Sequence, residues 1–149
     1  MNTVKDMLDI KGRVVWSISP TKTVYQAIEE MAAREVGALP VLDEKSEMTG
    51  IISERDYARK VILKNKVATE VTVGEIMTRE VISVDENTTI DSCMFLMNEN
   101  KIRHLPVVEK GTLVGIITVG DLLKFNLQKQ SMEIEELESY IMDETGGSG

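Results

Sequence analysis

One seven-residue pattern occurs twice in this 149-residue chain and constrains its fold more than any other feature. Residues 50–56 are Gly-Ile-Ile-Ser-Glu-Arg-Asp, and residues 115–121 are Gly-Ile-Ile-Thr-Val-Gly-Asp. Each copy predicts a buried strand that runs directly into a helix, because a hydroxyl residue followed three positions later by an acid is typical of a helix start. The chain is therefore expected to contain two equivalent strand–helix junctions.

The rest of the chain repeats around these junctions at an offset of about 66 residues. The sequence Leu-Pro-Val occurs at 39–41 and again at 105–107, and the apolar segments 14–18 and 81–84 predict the first strand of each unit. We predict an α+β fold of two β-α-β-β-α units that pack about a pseudo-twofold axis. The expected divisions are a lead-in helix at 1–14, a first unit at 15–66, a second unit at 67–130, and an acidic helix with a flexible tail at 131–149.

Composition excludes several classes of protein. The net charge of −8 argues against a nucleic-acid partner, although six acids near the C-terminus leave only about −2 for the rest of the chain. No apolar run approaches the roughly 20 residues that a membrane helix needs, and no signal-peptide pattern is present, so we expect a cytoplasmic protein. Cys93 and His104 are the only residues of their types, which argues against a metal site.

The repeated features resemble a tandem pair of cystathionine-β-synthase (CBS) domains, or Bateman module. The resemblance rests on the two junctions, the two Leu-Pro-Val strands and the sequence Val-Gly-Glu-Ile-Met-Thr at 73–78, and it covers about residues 3–126. Segments 53–59 and 103–107 resemble small stand-alone two-CBS proteins. The family implies disc-like homodimers and two clefts between the repeats, which commonly hold AMP, ADP, ATP, NAD or S-adenosylmethionine.

The two junctions supply groups that an adenosine phosphate requires. Asp56 and Asp121 are expected to accept hydrogen bonds from ribose hydroxyls in the first and second cleft, respectively. Ser53 and Thr118 would then lie near the ribose or the phosphate. The alternative is that each hydroxyl–acid pair is only a helix cap, since the same spacing defines a capping box. Affinity lost on substitution would indicate a ribose contact, whereas stability lost alone would indicate a cap.

Basic residues near the junctions are candidates for phosphate binding. Arg103 and His104 precede the second Leu-Pro-Val strand, where basic residues of the family often reach a phosphate; the alternative is a surface pair. Arg55 contacts either a phosphate or an acidic neighbour, and Lys22 is a weaker candidate of the same kind. The predicted nucleotide-binding residues are Ile18, Lys22, Gly37, Ala38, Pro40, Ser53, Arg55, Asp56, Arg103, His104, Pro106, Thr118 and Asp121.

These features predict a regulatory module that binds an adenosine nucleotide and has no catalytic activity of its own. AMP is the preferred ligand, because a single phosphate needs the fewest cations, and ATP, ADP and NAD stay open; no cofactor is required. An enzyme would need a nucleophile with a base, and the only histidine lies in a different motif from Ser53 and Thr118. The alternative function is a structural adaptor with vestigial sites, which a melting-temperature test with adenosine compounds would identify.

The segment after Asp121 predicts a long helix and a homodimer. Leu127, Ile134, Leu137 and Ile141 continue an apolar stripe beyond the last unit, with acidic residues on the other face. We expect this helix to dock onto the partner chain, and an unidentified regulated protein is a further expected partner. The alternatives are a helix that folds back on its own module and a frayed acidic tail.

Overall fold

The structure, a computed structural model, describes residues 2–144, and the side chains of residues 2–139. Its helices and strands alternate along the chain as the duplication predicts. The elements are α1 (Val4–Lys11), α2 (Val24–Arg34), β1 (Ala38–Leu42), β2 (Met48–Ser53), α3 (Glu54–Lys60), a 3₁₀ turn (Ile62–Lys64), α4 (Val73–Ile76), α5 (Ile90–Asn100), β3 (His104–Glu109), β4 (Thr112–Thr118) and α6 (Val119–Glu144). Among the described residues, no helix is long and apolar enough to cross a membrane.

The two Leu-Pro-Val segments form equivalent antiparallel hairpins, as predicted. Pro40 pairs with Ile51 between β1 and β2, and Pro106 pairs with Ile116 between β3 and β4. Each hairpin has a register shift directly after the valine of its Leu-Pro-Val segment. Because a β-bulge is a specific backbone feature, its presence at the same place in both hairpins supports one duplicated unit.

The predicted first strands, 14–18 and 81–84, are wrong in their extent. Each is reduced to one parallel bridge, between Ile18 and Val41 and between Val84 and Val107. The Ile18 amide donates to the Pro40 carbonyl at 3.0 Å, and the Val84 amide donates to the Pro106 carbonyl at 3.0 Å. Pairing of the residues before Ile18 and Val84 would need an N–H on Pro40 and Pro106. Proline has no N–H, so each ladder cannot extend toward the start of its segment.

The described residues form two hydrophobic cores. Each core contains residues of the short helix that precedes the opposite unit in the chain. The first core joins β1, β2 and α2 to Val73, Ile76 and Met77 of the segment around α4, which leads into the second unit. The second core joins β3, β4 and α5 to Val4 and Leu8 of α1, which leads into the first unit. Each lead-in helix therefore covers the core of the opposite unit, and the two units depend on each other for burial.

Two equivalent glycines allow this close packing. A Cβ atom at Gly50 would lie 2.7 Å from the carbonyl oxygen of Thr78, which follows α4, and one at Gly115 would lie 2.9 Å from the Leu8 side chain of α1. Both distances are shorter than van der Waals contact. The glycine of the Gly-Ile-Ile pattern thus permits the lead-in segment to cross the strand closely, most strictly at Gly50, where the neighbour is backbone.

The long C-terminal helix is present as predicted. The first turns of α6 pack on α5 and β4, whereas Leu127, Ile134 and Leu137 have exposed fractions of 63%, 56% and 59%. Beyond its first turns, the described part of α6 therefore does not fold back on its own module. The Ile141 side chain and the predicted tail at 146–149 lie outside the described residues.

The single cysteine is a core residue, at the position in the second repeat that corresponds to Ala27 in the first. Cys93 is fully buried in the second core, and Ala27 is fully buried in the first. Burial raises the pKa of the Cys93 thiol to about 11. A thiol that is protonated at neutral pH and inaccessible to solvent is unreactive, so Cys93 acts as a small apolar side chain.

Candidate functional site

Both strand–helix junctions form the capping arrangement that the sequence predicts. The Asp56 amide donates to the Ser53 hydroxyl at 3.2 Å, and the Ser53 amide donates to Oδ2 of Asp56 at 3.0 Å. The corresponding bonds between Asp121 and Thr118 measure 3.0 and 2.9 Å. Each aspartate therefore uses Oδ2 to cap its own helix. What distinguishes the two sites is the environment of the remaining acceptor positions.

The carboxylate of Asp56 is fully occupied by groups of its own chain. Its Oδ2 also accepts from the Ser53 hydroxyl at 3.1 Å, while Oδ1 accepts from the Thr78 hydroxyl at 3.1 Å and pairs with Lys60 Nζ at 3.0 Å. An ionised carboxylate offers about four acceptor positions, and all of them are filled here. The residue is only 8% exposed, so Asp56 is a buried and satisfied structural group.

The carboxylate of Asp121 has a different partner and is more open. Lys11 at the end of α1 places Nζ 2.6 Å from Oδ2 of Asp121 and 2.6 Å from the Ile116 carbonyl oxygen. Among the described residues, Oδ1 of Asp121 has no hydrogen-bond partner. The Asp121 side chain is 22% exposed, against 11% for Asp56. One oxygen of this carboxylate is therefore available to a ligand.

Sequence reasoning missed Lys11, which lies 110 positions from Asp121. No motif contains it, and only the exchange of lead-in helices brings α1 to the second junction. Thr78 and Lys60 were missed at the first junction. Thr78 is the last residue of the segment 73–78, which resembles the CBS family. An expectation that each lead-in segment crosses to the opposite unit would have placed Thr78 beside Asp56.

His104 lies between the two units. It pairs with Thr118 across the β3–β4 hairpin, and its ring lies 3.5 Å from the position a Cβ atom would take at Gly37. His104 and Thr118 belong to different motifs, but antiparallel pairing puts both side chains on one face of the hairpin. The Thr118 hydroxyl nevertheless accepts from the Asp121 amide, and no bond from His104 activates it within the described residues.

Charged groups near His104 shift its pKa. Burial lowers the pKa of His104 below its ordinary value, and the positive charges of Lys11 and Arg103 lower it further. The negative charge of Asp121 acts in the opposite direction. Lys11, Arg103 and His104 are thus close enough for their charges to interact, and we call these three residues the basic cluster; of the three, Lys11 contacts Asp121. The imidazole is neutral at neutral pH and can accept a proton when a further anion arrives.

Arg55 makes a contact that neither sequence interpretation predicts. Its guanidinium donates to the carbonyl oxygen of Lys101 at the end of α5, at 3.0 Å. It therefore connects the start of α3 to the second unit. Lys22 contributes its carbonyl oxygen, which accepts from the Val73 amide at 2.8 Å and holds the start of α4. Its side chain is exposed.

The apolar candidates lie in and around the two hairpins. Ala38 is buried and pairs with Ser53, as His104 pairs with Thr118 in the second hairpin. Pro40 and Pro106 are also buried, and Ile18 is half-buried beside the first core. The structure therefore places the predicted residues around the two hairpins, and Gly37 of the first half lies against His104 of the second.

An open groove of about 320 Å³ lies beside the C-terminal end of α2. Its walls come from the exposed end of α2 and from the segment that leads to β1. Gly37 is the only predicted site residue among those that line it, and Glu35 and Glu54 give it acidic character. This groove is therefore unsuited to a phosphate, and the basic cluster at the second junction is the better anion site.

The sequence profile of the CBS domain matches residues 4–63 and 73–127, which together are more than half of the chain. The chain belongs to the CBS domain family. The resemblance noted from the two junctions is thereby confirmed, and the two matched segments correspond to the two repeats. The α+β fold of two tandem CBS motifs is confirmed with it.

Related proteins agree with this assignment. The CBS domain-containing protein CBSX3, mitochondrial, of Arabidopsis thaliana is 35% identical over 147 residues, which cover 93% of this chain and 71% of that protein. The crystal structure of the CBS domain NE2398 is 42% identical, has a TM-score of 0.81, and aligns with 85% of this chain and 98% of its own. The CBS domain pair of protein MJ0100 was solved with 5′-methylthioadenosine and S-adenosyl-L-methionine; it is 29% identical, with a TM-score of 0.77 and coverages of 87% and 98%.

Proposed function

We propose that this CBS pair is a regulatory module that binds an adenosine nucleotide in the clefts between its two motifs. AMP is the preferred ligand, and ATP, ADP and NAD are the alternatives. The observation that carries this proposal is the open oxygen of Asp121 beside the cluster of Lys11, Arg103 and His104. A carboxylate acceptor next to two cations, Lys11 and Arg103, matches a ribose that bears a phosphate. The adenosine ligands of the MJ0100 domain pair support the choice of an adenosine compound.

The phosphate is the part of the ligand in which we expect this chain to differ from that relative. S-adenosylmethionine carries a positively charged sulfonium, which the basic cluster would repel. A nucleotide phosphate carries negative charge, which the same cluster would attract. AMP therefore fits the charge of the second junction better than S-adenosylmethionine does.

The proposed module regulates by conformational change and performs no chemistry. The only histidine makes no hydrogen bond to Thr118 within the described residues, and Asp121 is paired with Lys11. A ligand can shift such a module only by binding one of its conformations more tightly than another. The exchanged lead-in helices are the elements best placed to respond, since α1 connects the second junction to the second core.

We further propose that the chain forms a homodimer through α6. The apolar side chains of Leu127, Ile134 and Leu137 are exposed along the described part of this helix, which packs on its own module only at its start. An exposed apolar stripe of this length favours an interface. A second copy of the chain carries the same stripe together with uncovered CBS helices on which it can dock. A structural adaptor that only dimerises is the second candidate function.

Isothermal titration calorimetry with AMP tests the ligand proposal. Asp121→Ala removes the ribose acceptor and should weaken AMP binding by about 1.5–3 kcal/mol, the worth of a hydrogen bond to a charged group. Asp91→Ala is the matched control, because Asp91 is an exposed acid in the first turn of α5. Unchanged AMP affinity in folded Asp121→Ala, with only a lower melting temperature, would show that Asp121 is a helix cap and no ligand contact.

A further inference from the structure

The two junctions are equivalent in fold but differ in the acceptor positions that they leave open. The four positions of Asp56 are filled by Ser53, Thr78 and Lys60. At Asp121, the Thr118 amide and Lys11 occupy Oδ2, and Oδ1 has no partner among the described residues. The two hydroxyls of a ribose need acceptor positions of this kind. Asp121 can supply them at the loss of one lysine contact, whereas Asp56 must first lose its buried internal bonds.

The lysines that pair with the two aspartates come from different places. At the first junction, Lys60 lies on the same helix as Asp56 and is held by Asp56, the Ile76 carbonyl and the Thr78 hydroxyl, while Arg55 is held by the Lys101 carbonyl. At the second junction, Lys11 comes from α1 and has two partners, Asp121 and the Ile116 carbonyl.

At the second junction, the partly exposed Lys11 stands beside Arg103 and His104. Of these groups, Lys11 is the one that contacts the ribose acceptor directly, at 2.6 Å. Its ammonium can move to a phosphate without leaving the site, because a lysine side chain is long and flexible.

Building on the proposed function, we propose that the second junction alone binds the nucleotide, with one ligand per chain, and that Lys11 selects for a 5′-phosphate. In the unliganded chain, the Lys11 ammonium occupies the Asp121 carboxylate. When a nucleoside 5′-phosphate binds, the ribose hydroxyls take the carboxylate and the phosphate takes the ammonium. Ribose hydroxyls that engage both oxygens of the carboxylate displace Lys11 from Oδ2, and a nucleoside without phosphate then offers the ammonium no new partner. Lys11 is therefore a specificity-determining residue carried by α1 from outside the second unit.

Calorimetry with AMP and with adenosine on the full chain tests this proposal. We expect one AMP per wild-type chain. Lys11→Met should weaken AMP binding by about tenfold or more, as expected for a lost charged hydrogen bond. The same substitution should leave adenosine binding unchanged or make it tighter, because the competing ammonium is gone. Lys5→Met is the matched control on the same helix: Lys5 is exposed and pairs only with Asp9, so neither affinity should change.

Three results would overturn the inference. Two AMP molecules per chain would show that the first junction also binds. Equal changes in AMP and adenosine affinity on Lys11→Met would show that Lys11 does not recognise the phosphate.

The third result concerns Asp56→Asn and Asp121→Asn, which keep the side-chain shape. Asp56→Asn should lower the melting temperature and leave AMP affinity unchanged, and an equal loss of affinity in both variants would contradict the assignment. A wild-type chain that binds no adenosine compound at all is a separate outcome, since it removes the proposed function itself.

Discussion

Gly50 and Gly115 show how a single missing side chain permits the exchanged architecture. Each lies where a lead-in segment crosses a Gly-Ile-Ile strand, and an added Cβ would meet a backbone oxygen at Gly50 and a core leucine at Gly115. The contact at Gly50 is the more severe, because a carbonyl in a paired backbone cannot rotate away as a side chain can. Thr78 is held there by a bridge to Ile51.

Gly50→Ala should therefore destabilise the protein by about 1–3 kcal/mol, the usual cost of overpacking a core site. Gly120→Ala is the control, since a Cβ there meets only the Thr118 hydroxyl at 3.6 Å and lies in the first turn of α6. That substitution should stabilise by about 0.4–1 kcal/mol. Urea denaturation of both variants measures the difference. Equal stabilities for the two variants would contradict the close crossing at Gly50.

His104 should make the stability of the chain depend on pH below its ordinary pKa. Burial and the charges of Lys11 and Arg103 lower the pKa of His104 in the folded state, while Asp121 opposes them. Between the folded and unfolded pKa values, the unfolded chain binds more protons, so stability falls as the pH drops below about 6.5. Above that pH, both states are neutral at His104 and the effect is absent.

When the pH is lowered from about 7.5 to about 5.5, the melting temperature of His104→Gln should therefore fall by less than that of the wild type. The carboxylates titrate in both proteins, so their contribution cancels in the comparison. Differential scanning calorimetry at the two pH values gives the result. Parallel losses in the two proteins would mean that His104 is not held neutral by its surroundings.

The residues that the sequence predicts well are those whose partners are close along the chain. Ser53 with Asp56 and Thr118 with Asp121 are three positions apart, and their capping bonds follow from local geometry alone. Lys11 could not be found in this way, because its partner is set by packing between the units. The two junctions differ because Lys11 contacts Asp121 and Thr78 contacts Asp56. Both contacts join residues far apart in the sequence, so the local motifs do not predict them.

At the scale of elements, the prolines of the Leu-Pro-Val strands explain where the predicted strands fail. The apolar segments 14–18 and 81–84 have the composition of strands, and each does reach its hairpin at one residue. Pro40 and Pro106 then prevent further pairing, since neither has an amide hydrogen. The apolar pattern therefore predicts the position of these segments correctly, while backbone chemistry limits their length.

The C-terminal helix is the element whose role is most open to a direct test. We expect the full chain to be a dimer in light scattering and a chain that ends at Lys129 to lose dimerisation, because it lacks Ile134 and Leu137. Ile134→Glu with Leu137→Glu should have the same effect in the full chain, and Glu135→Gln, on an exposed position, is the control. A monomeric full chain contradicts the dimer. A dimer that survives truncation excludes α6 from the interface.

At the scale of the whole molecule, the exchange of lead-in helices joins the two CBS motifs into one unit. Each core contains side chains from both halves of the chain, so the two halves are packed together. In the proposed complex, a nucleotide at the second junction would reach α1 through Lys11, and α1 packs in the second core. We expect such binding to alter the relation between the repeats, provided that the nucleotide binds one conformation more tightly than another.

A melting-temperature panel tests whether this module binds an adenosine nucleotide. The wild-type chain is heated with AMP, ADP, ATP, NAD, S-adenosylmethionine or GMP. A ligand at 100 times its dissociation constant adds about 2.7 kcal/mol, which for a chain of this size is a rise of a few degrees. We predict such a rise with AMP, with a smaller response to S-adenosylmethionine and to GMP. No rise with any adenosine compound would contradict the account and leave the structural adaptor.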